Sequence, residues 1–150
     1  MGEITNKPER LKHMTIVLIV DDNPDIRELF AMTLVSLQYS TLTAPGGQEC
    51  LEMLTKVRPD IILLDVMMWP LDGWQTLQKI KDCPDTKTIP VIMITGKDAT
   101  YEEQKKFSRF YADYITKPVT RASLQEIIKK VLDTCQDNTC LLNENYLMLL

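Results

Sequence analysis

One feature constrains this chain more than any other. A short apolar run recurs, and each time it ends in a residue that carries oxygen chemistry. Ile16, Val17, Leu18, Ile19 and Val20 lead into Asp21 and Asp22, Ile61 to Leu64 lead into Asp65, and Val91 to Ile94 lead into Thr95 and Gly96. A continuous apolar run this short suits a strand buried on both faces, as in a parallel sheet. Helical patterns lie between the runs. Asn23-Pro24 opens the first, with proline placed for a helix start, and Leu29, Met32, Thr33 and Val35 to Leu37 recur at helical spacing. Ser40 to Ala44 reads as a weaker strand and Pro45-Gly46-Gly47 as a turn. Glu49 to Val57 reads as a helix with Leu51, Leu54 and Val57 on one face. Asp72-Gly73 opens the next helix, with Leu77 and Ile80 inward. Glu102 to Phe110 is helical, Tyr114 to Thr116 is a short strand closed by Lys117-Pro118, and Ser123 to Leu132 is the last helix. Five strand-then-helix units in a row predict an α/β domain with a parallel sheet and helices on both faces.

The 150 residues amount to one domain. Residues 1–14 read as a polar arm, 15–133 as the domain, and 134–150 as a tail. The tail could extend the last helix, pack on the domain, pair with another copy or lead into a linker. Seventeen basic and 21 acidic residues leave a net charge of −4, a poor balance for gripping a phosphate backbone, so no direct nucleic-acid binding is expected. The only histidine, His13, falls in the arm, which argues against a multi-histidine metal site or a histidine-based triad. Cys50, Cys83, Cys135 and Cys140 form no C-x-x-C pair and read as free thiols of a cytoplasmic protein. No stretch reads as a membrane span, no apolar signal-peptide core follows the N-terminus, and Asn6 breaks the myristoylation pattern that Gly2 would begin.

In open parallel sheets, ligands bind beyond the carboxyl ends of the strands. Those ends would gather Asp21, Asp22, Asp65, Thr95 and Lys117. Carboxylates crowded on one rim repel one another unless a cation joins them. With only oxygen ligands at hand, the fitting cation is Mg²⁺. Lys117 and the Thr95 hydroxyl suit an anion, and the Gly96 backbone could approach it closely. Together they describe a phosphoryl site. A carboxylate needs no base to act as nucleophile, and Asp65, alone after the most apolar run, is the best phosphoacceptor candidate.

These residues resemble the receiver domain of two-component response regulators. The resemblance rests on Asp21-Asp22 in VDDN, Asp65 in LLDVMM, Asp72-Gly73, Thr95-Gly96 in MITGK and Lys117-Pro118 in YITKP, and spans about Thr15 to Leu132. It implies a flavodoxin-like, doubly wound five-stranded sheet of order 2-1-3-4-5, an order that comes with the family and not from spacing. It further implies that Asp65 takes a phosphoryl group from the phosphohistidine of a sensor kinase or histidine phosphotransfer protein. Asp22, Asp65 and the Met67 carbonyl would ligate Mg²⁺, with Asp21 acting mainly through water. Thr95, Lys117 and the Gly96 amide would hold the phosphoryl oxygens. Lys117-Pro118 would be cis. Thr95 and Tyr114 would form the switch that alters the face of the fourth helix, fifth strand and fifth helix, for a target protein or a homodimer.

Three departures from the family pattern stand out. Trp69 stands where proline is usual, with Pro70 one later, and could gate the site. Phe110 and Tyr111 replace a common Gly-Ala pair, and Val119 replaces an aromatic. Other readings compete. The chain could be the receiver piece of a larger regulator or hybrid kinase, or a scaffold that has lost phosphorylation. An aspartate-nucleophile phosphatase needs a second acid two residues after the nucleophile, where this chain has Met67. A nucleotide-binding domain needs a glycine-rich loop after the first strand, which is missing. Self-phosphorylation and its reversal, rather than enzymatic turnover, are expected. Trp74 reads as a cover for apolar surface, Lys97 and Asp98 as solvated, and the eight methionines as adaptable core.

Overall fold

The computed structural model describes residues 14–96 and 100–136. Five strands alternate with five helices. They are β1 (Ile16–Val20), α1 (Pro24–Ser36), β2 (Ser40–Ala44), α2 (Gly47–Leu54), β3 (Ile61–Asp65), α3 (Gly73–Asp82), β4 (Val91–Thr95), α4 (Tyr101–Phe107), β5 (Asp113–Thr116) and α5 (Arg121–Gln136). The sheet is wholly parallel and ordered β2-β1-β3-β4-β5, the order that the resemblance implied. All five residues of β3 and of β4 are buried, whereas edge strand β5 alternates between half-buried and exposed.

Side chains alternate across a strand, so each central strand feeds two cores. Leu18, Val20, Ile62, Leu64, Val91 and Met93 pack with Cys50 of α2 and with Trp74, Leu77 and Ile80 of α3. Val17, Ile19, Ile61, Leu63, Ile92 and Ile94 pack with Phe30 and Leu34 of α1 and with Leu124, Ile128 and Val131 of α5. A fully buried aliphatic side chain contributes about 1.5–3 kcal/mol, so these two layers dominate what holds the domain together.

Several sequence expectations are corrected. In α1 the inward face is Phe30 and Leu34, while Leu29, Met32 and Val35 are 59, 65 and 60% exposed. The helix carries apolar residues all round, and spacing alone could not select the face that meets the sheet. Helix α2 spans Gly47–Leu54 rather than 49–57, and Val57 lies outside it, exposed. Helix α4 stops at Phe107, three residues early, because turn bonds from Ser108 and Phe110 back to Lys105 and Phe107 close it. Helix α5 is longer than expected, and β5 begins one residue earlier, at Asp113. The arm with His13, the residues Lys97 and Asp98, and most of the tail with Cys140 lie outside the described residues. Cys50 is a buried free thiol, its pKa pushed up to about 12 by desolvation, and Cys83 is an exposed one. Met68 and Met93 are core, but Met32 and Met67 are exposed.

One turn shows backbone strain. After α1, Gln38 adopts φ 70°. The Tyr39 amide donates to Leu34 O at 3.0 Å and the Gln38 amide to Val35 O at 3.0 Å, the pattern that usually places glycine in the left-handed position. A non-glycine residue there costs about 1 kcal/mol or more. Gln38→Gly is therefore expected to stabilise the protein by about 0.5–1 kcal/mol, read from urea unfolding. An unchanged or lower midpoint would refute this account of the turn.

Candidate functional site

Register brings the chemistry to one edge. Val20 lies opposite Leu64, so Asp21 falls level with Asp65 on the neighbouring strand. Asp65 lies opposite Ile94, and Thr95 opposite Thr116, so Thr95 and Lys117 follow one and two steps further along the same rim. The Lys117 amide donates to Thr95 O at 2.8 Å and pins the last loop to β4. Both Lys117-Pro118 and Trp69-Pro70 are cis; the resemblance implied the first, and the second was not foreseen.

Local sequence orients the acids. Asn23 caps α1, its Oδ1 accepting from the amides of Asp25 at 2.9 Å and Ile26 at 3.3 Å. Its own amide donates to Asp21 Oδ1 at 2.9 Å, so one residue both starts the helix and aims the first acid. Arg27 donates to the Asp21 carbonyl at 2.7 Å, a contact sequence reading missed because only the turn of α1 brings position 27 back over position 21. Asp72 begins α3 with a reciprocal pair: its Oδ1 accepts from the Gln75 amide at 2.8 Å and the Gln75 side chain accepts from the Asp72 amide at 3.0 Å. The D-G-x-Q spelling carries this signal. Gly73 then lies directly on the end of β3, where a Cβ would meet Asp65 O at 2.2 Å and Val66 Cα at 2.6 Å.

Carboxylate oxygens of Asp21, Asp22 and Asp65 all lie within 4.8 Å of one another. Asp21 and Asp65 are buried and Asp22 is exposed. Lys117 Nζ stands 3.1 Å from Asp65 Oδ1 and 3.7 Å from Asp21 Oδ2. Among the described residues the Lys117 ammonium is all that faces Asp21 Oδ2 and Asp65 Oδ1, and Thr95 Oγ1, buried beside them, has no partner. Such an atom costs about 1–3 kcal/mol. That hydroxyl, beside two carboxylates that share one ammonium, marks a place shaped for something that brings both positive charge and oxygens. Burial, then the Asp21 carboxylate, pushes the Asp65 carboxyl up to about 6; Lys117 opposes the rise and Asp22 adds to it. The all-oxygen donor set and three carboxylates crowded against a single ammonium fit a hard cation such as Mg²⁺.

The remaining candidates are placed as follows. Among the described residues nothing lies within 4 Å of where a Cβ on Gly96 would sit, so their packing does not demand glycine there. The Met67 side chain is 69% exposed. Trp69 is 85% exposed, so its indole covers little of the molecule. Tyr114 is 44% exposed. Trp74, expected as a surface cover, is 4% exposed and stacks on Phe107, with centroids 5.1 Å apart and planes at 9°.

An acidic cluster, a threonine and a lysine thus meet at the carboxyl edge of a 2-1-3-4-5 parallel sheet, the arrangement of a signalling receiver. Residues 17–129 match the response regulator receiver domain model, and the chain belongs to that family. A probable cyclic di-GMP phosphodiesterase of Vibrio cholerae is 34% identical over 143 residues, covering 91% of this chain and 32% of that protein. The heme response regulator HssR of Staphylococcus aureus is 37% identical over 119 residues, covering 79% of this chain and 52% of the relative. The chain thus spans about a third to a half of these curated relatives. Among solved structures, the N-terminal domain of a response regulator receiver protein from Methanoculleus marisnigri is 46% identical. Its TM-score is 0.66, covering 78% of this chain and 95% of that one. Chemotaxis protein CheY4 of Vibrio cholerae is 27% identical with a TM-score of 0.73, covering 79% and 98%. Receiver domains act in two-component signalling, bind Mg²⁺ at an acidic aspartate cluster, and interact with histidine kinases and downstream effectors. Among the described residues no helix is long and apolar enough to cross a membrane.

Proposed function

We propose that this domain is switched by phosphorylation of Asp65, with the phosphoryl group supplied by the phosphohistidine of a sensor kinase or histidine phosphotransfer protein. The observation that carries the reading is that the buried Asp21 and Asp65 carboxylates share the single Lys117 ammonium beside a buried Thr95 hydroxyl that has no partner among the described residues. An Asp65 carboxylate oxygen attacks phosphorus, the bond from phosphorus to the donor nitrogen breaks, and an aspartyl phosphate forms. Asp21, Asp22, Asp65 and the Met67 carbonyl would hold Mg²⁺, which when bound supplies positive charge against the phosphoryl oxygens. Lys117 shifts its ammonium from the carboxylates to a phosphoryl oxygen, and the buried Thr95 hydroxyl and the Gly96 amide donate to others. The Thr95 movement draws Tyr114 inward and changes the α4-β5-α5 face for a protein target or a second copy. Trp69, exposed here, would act as a gate by folding back over the rim. The domain works as a signalling element, with self-phosphorylation and its reversal as its only chemistry.

Incubation with Mg²⁺ and acetyl phosphate, followed by intact mass measurement, tests this. One Mg²⁺-dependent phosphoryl adduct is expected, absent from Asp65→Asn. An equal adduct in that variant would remove Asp65 from the role. Turnover of many equivalents of a phosphomonoester would favour the phosphatase reading.

A further inference from the structure

Tyr114 does not face solvent alone. Its ring meets Tyr111 edge-on, with centroids 6.1 Å apart and planes at 86°. On its other side Tyr111 lies 6.0 Å from Trp74, tilted by 45°. The Tyr111 hydroxyl donates to the Gln104 carbonyl in α4 at 3.1 Å. Burial, with Tyr114 and Asp113 nearby, holds the Tyr111 phenol above its ordinary value, so it stays a donor at neutral pH. Trp74 is itself fixed, buried and stacked on Phe107, and it follows Gly73, which rests on the Asp65 backbone. Tyr111 is therefore clamped from two sides and offers its third to Tyr114. Helix α4 buries no residue of its own fully, and this aromatic cluster joins it to α3 and β5.

We propose that Tyr111 is a positioning residue that holds Tyr114 in its half-exposed place and biases the domain toward the unswitched state. The inference rests on the reading of Tyr114 as the switch aromatic and goes beyond it by naming the group that opposes the switch. An edge-to-face aromatic contact is favourable beyond the area it buries. A contact made in one state and lost in the other shifts the equilibrium by its whole strength. Binding at the acidic site then has to overcome that contact, and the apparent affinity falls by the same factor.

The test is calorimetric titration of the full chain with beryllofluoride in excess Mg²⁺, a phosphoryl stand-in that does not transfer. Tyr111→Ala is expected to bind about 2- to 10-fold more tightly than the parent, the range that such a contact implies. Tyr111→Phe keeps the ring against Trp74 and Tyr114 and drops only the bond to Gln104, so it is expected to tighten binding less than Tyr111→Ala does. In a Tyr114→Ala background the gain from Tyr111→Ala is expected to vanish, because the contact is already gone. A residue with only a structural role would weaken binding when removed, not tighten it. Equal or weaker binding by Tyr111→Ala, or a gain that persists without Tyr114, overturns the proposal. If a thermal melt shows that Tyr111→Ala does not fold, Tyr111→Leu fills the space without a ring edge and carries the same expectation. A parent that neither binds beryllofluoride nor takes a phosphoryl group from acetyl phosphate overturns the receiver chemistry and this inference with it. A parent that binds, with no gain on removing the ring, overturns this inference alone.

Discussion

Asp65→Asn is expected to make the metal-free protein more stable at pH 7.5 by about 1–3 kcal/mol, while abolishing the phosphoryl adduct. In the folded protein Asp65 titrates at about 6 against an ordinary 3.8, because burial and the Asp21 and Asp22 carboxylates penalise its charge more than Lys117 favours it. Between those two values the folded state keeps a proton that the unfolded chain has lost. Stability therefore falls as pH rises from about 4 to about 6, then levels off. The full loss is roughly 3 kcal/mol, and part of it returns in the variant, which also forgoes the 3.1 Å ion pair to Lys117. Urea unfolding in chelator at about pH 7.5 and about pH 4 checks the sign. The variant's advantage should be present at the higher pH and gone at the lower. Added Mg²⁺ should then stabilise the parent more than the variant, because a ligand stabilises only the state that binds it. A variant less stable than the parent at the higher pH without metal would show that Lys117 outweighs the crowding of acids.

Gly73→Ala is expected to destabilise by about 2–3 kcal/mol and to slow phosphorylation of Asp65. A Cβ at Gly73 would stand 2.2 Å from Asp65 O, 2.6 Å from Val66 Cα and 2.9 Å from Asp65 C, all backbone atoms with no side-chain freedom to yield. The Gly73 amide also donates to Val66 O at 2.9 Å, so the start of α3 cannot drift outward without losing that bond. Alanine gains about 1 kcal/mol of helix propensity, less than the cost of forcing backbone apart in a packed core. The strain lands on Asp65, the proposed phosphoacceptor, so stability and adduct rate should fall together. Gly96→Ala is the control for stability, since no described residue lies within 4 Å of the added Cβ, and its unfolding free energy should move by less than about 0.5 kcal/mol. Equal midpoints for Gly73→Ala and the parent would mean that α3 can slide on β3.

The legible and illegible parts of this protein divide along a physical line. Apolar runs that end in Asp21, Asp65 and Thr95 could be read directly, because a strand covered on both faces has no polar positions to disguise it. Helix starts at Asn23-Pro24 and Asp72-Gly73 were legible for a similar reason: caps are local bonds between residues three or fewer apart. The inward face of α1 was not, since Leu29, Met32 and Val35 are as apolar as Phe30 and Leu34. Helix α5 ran past Leu132 to Gln136, because partly buried Leu132 and Cys135 continue its contact with the α1 layer.

What the amino-acid order determined by itself was the set of strands, their helices and the oxygen-bearing residues that close the three apolar strands, Asp21 with Asp22, Asp65 and Thr95. The strand order followed from the family resemblance, not from periodicity. Only the tertiary structure decided that Asp21 stands level with Asp65, that Arg27 turns back onto Asp21, and that Tyr111 wedges between Trp74 and Tyr114. Propensity and capping act over a few residues and leave their mark in local sequence. Register between strands and contact between rings join positions far apart in the chain, and those are set by how two packed layers close over one sheet.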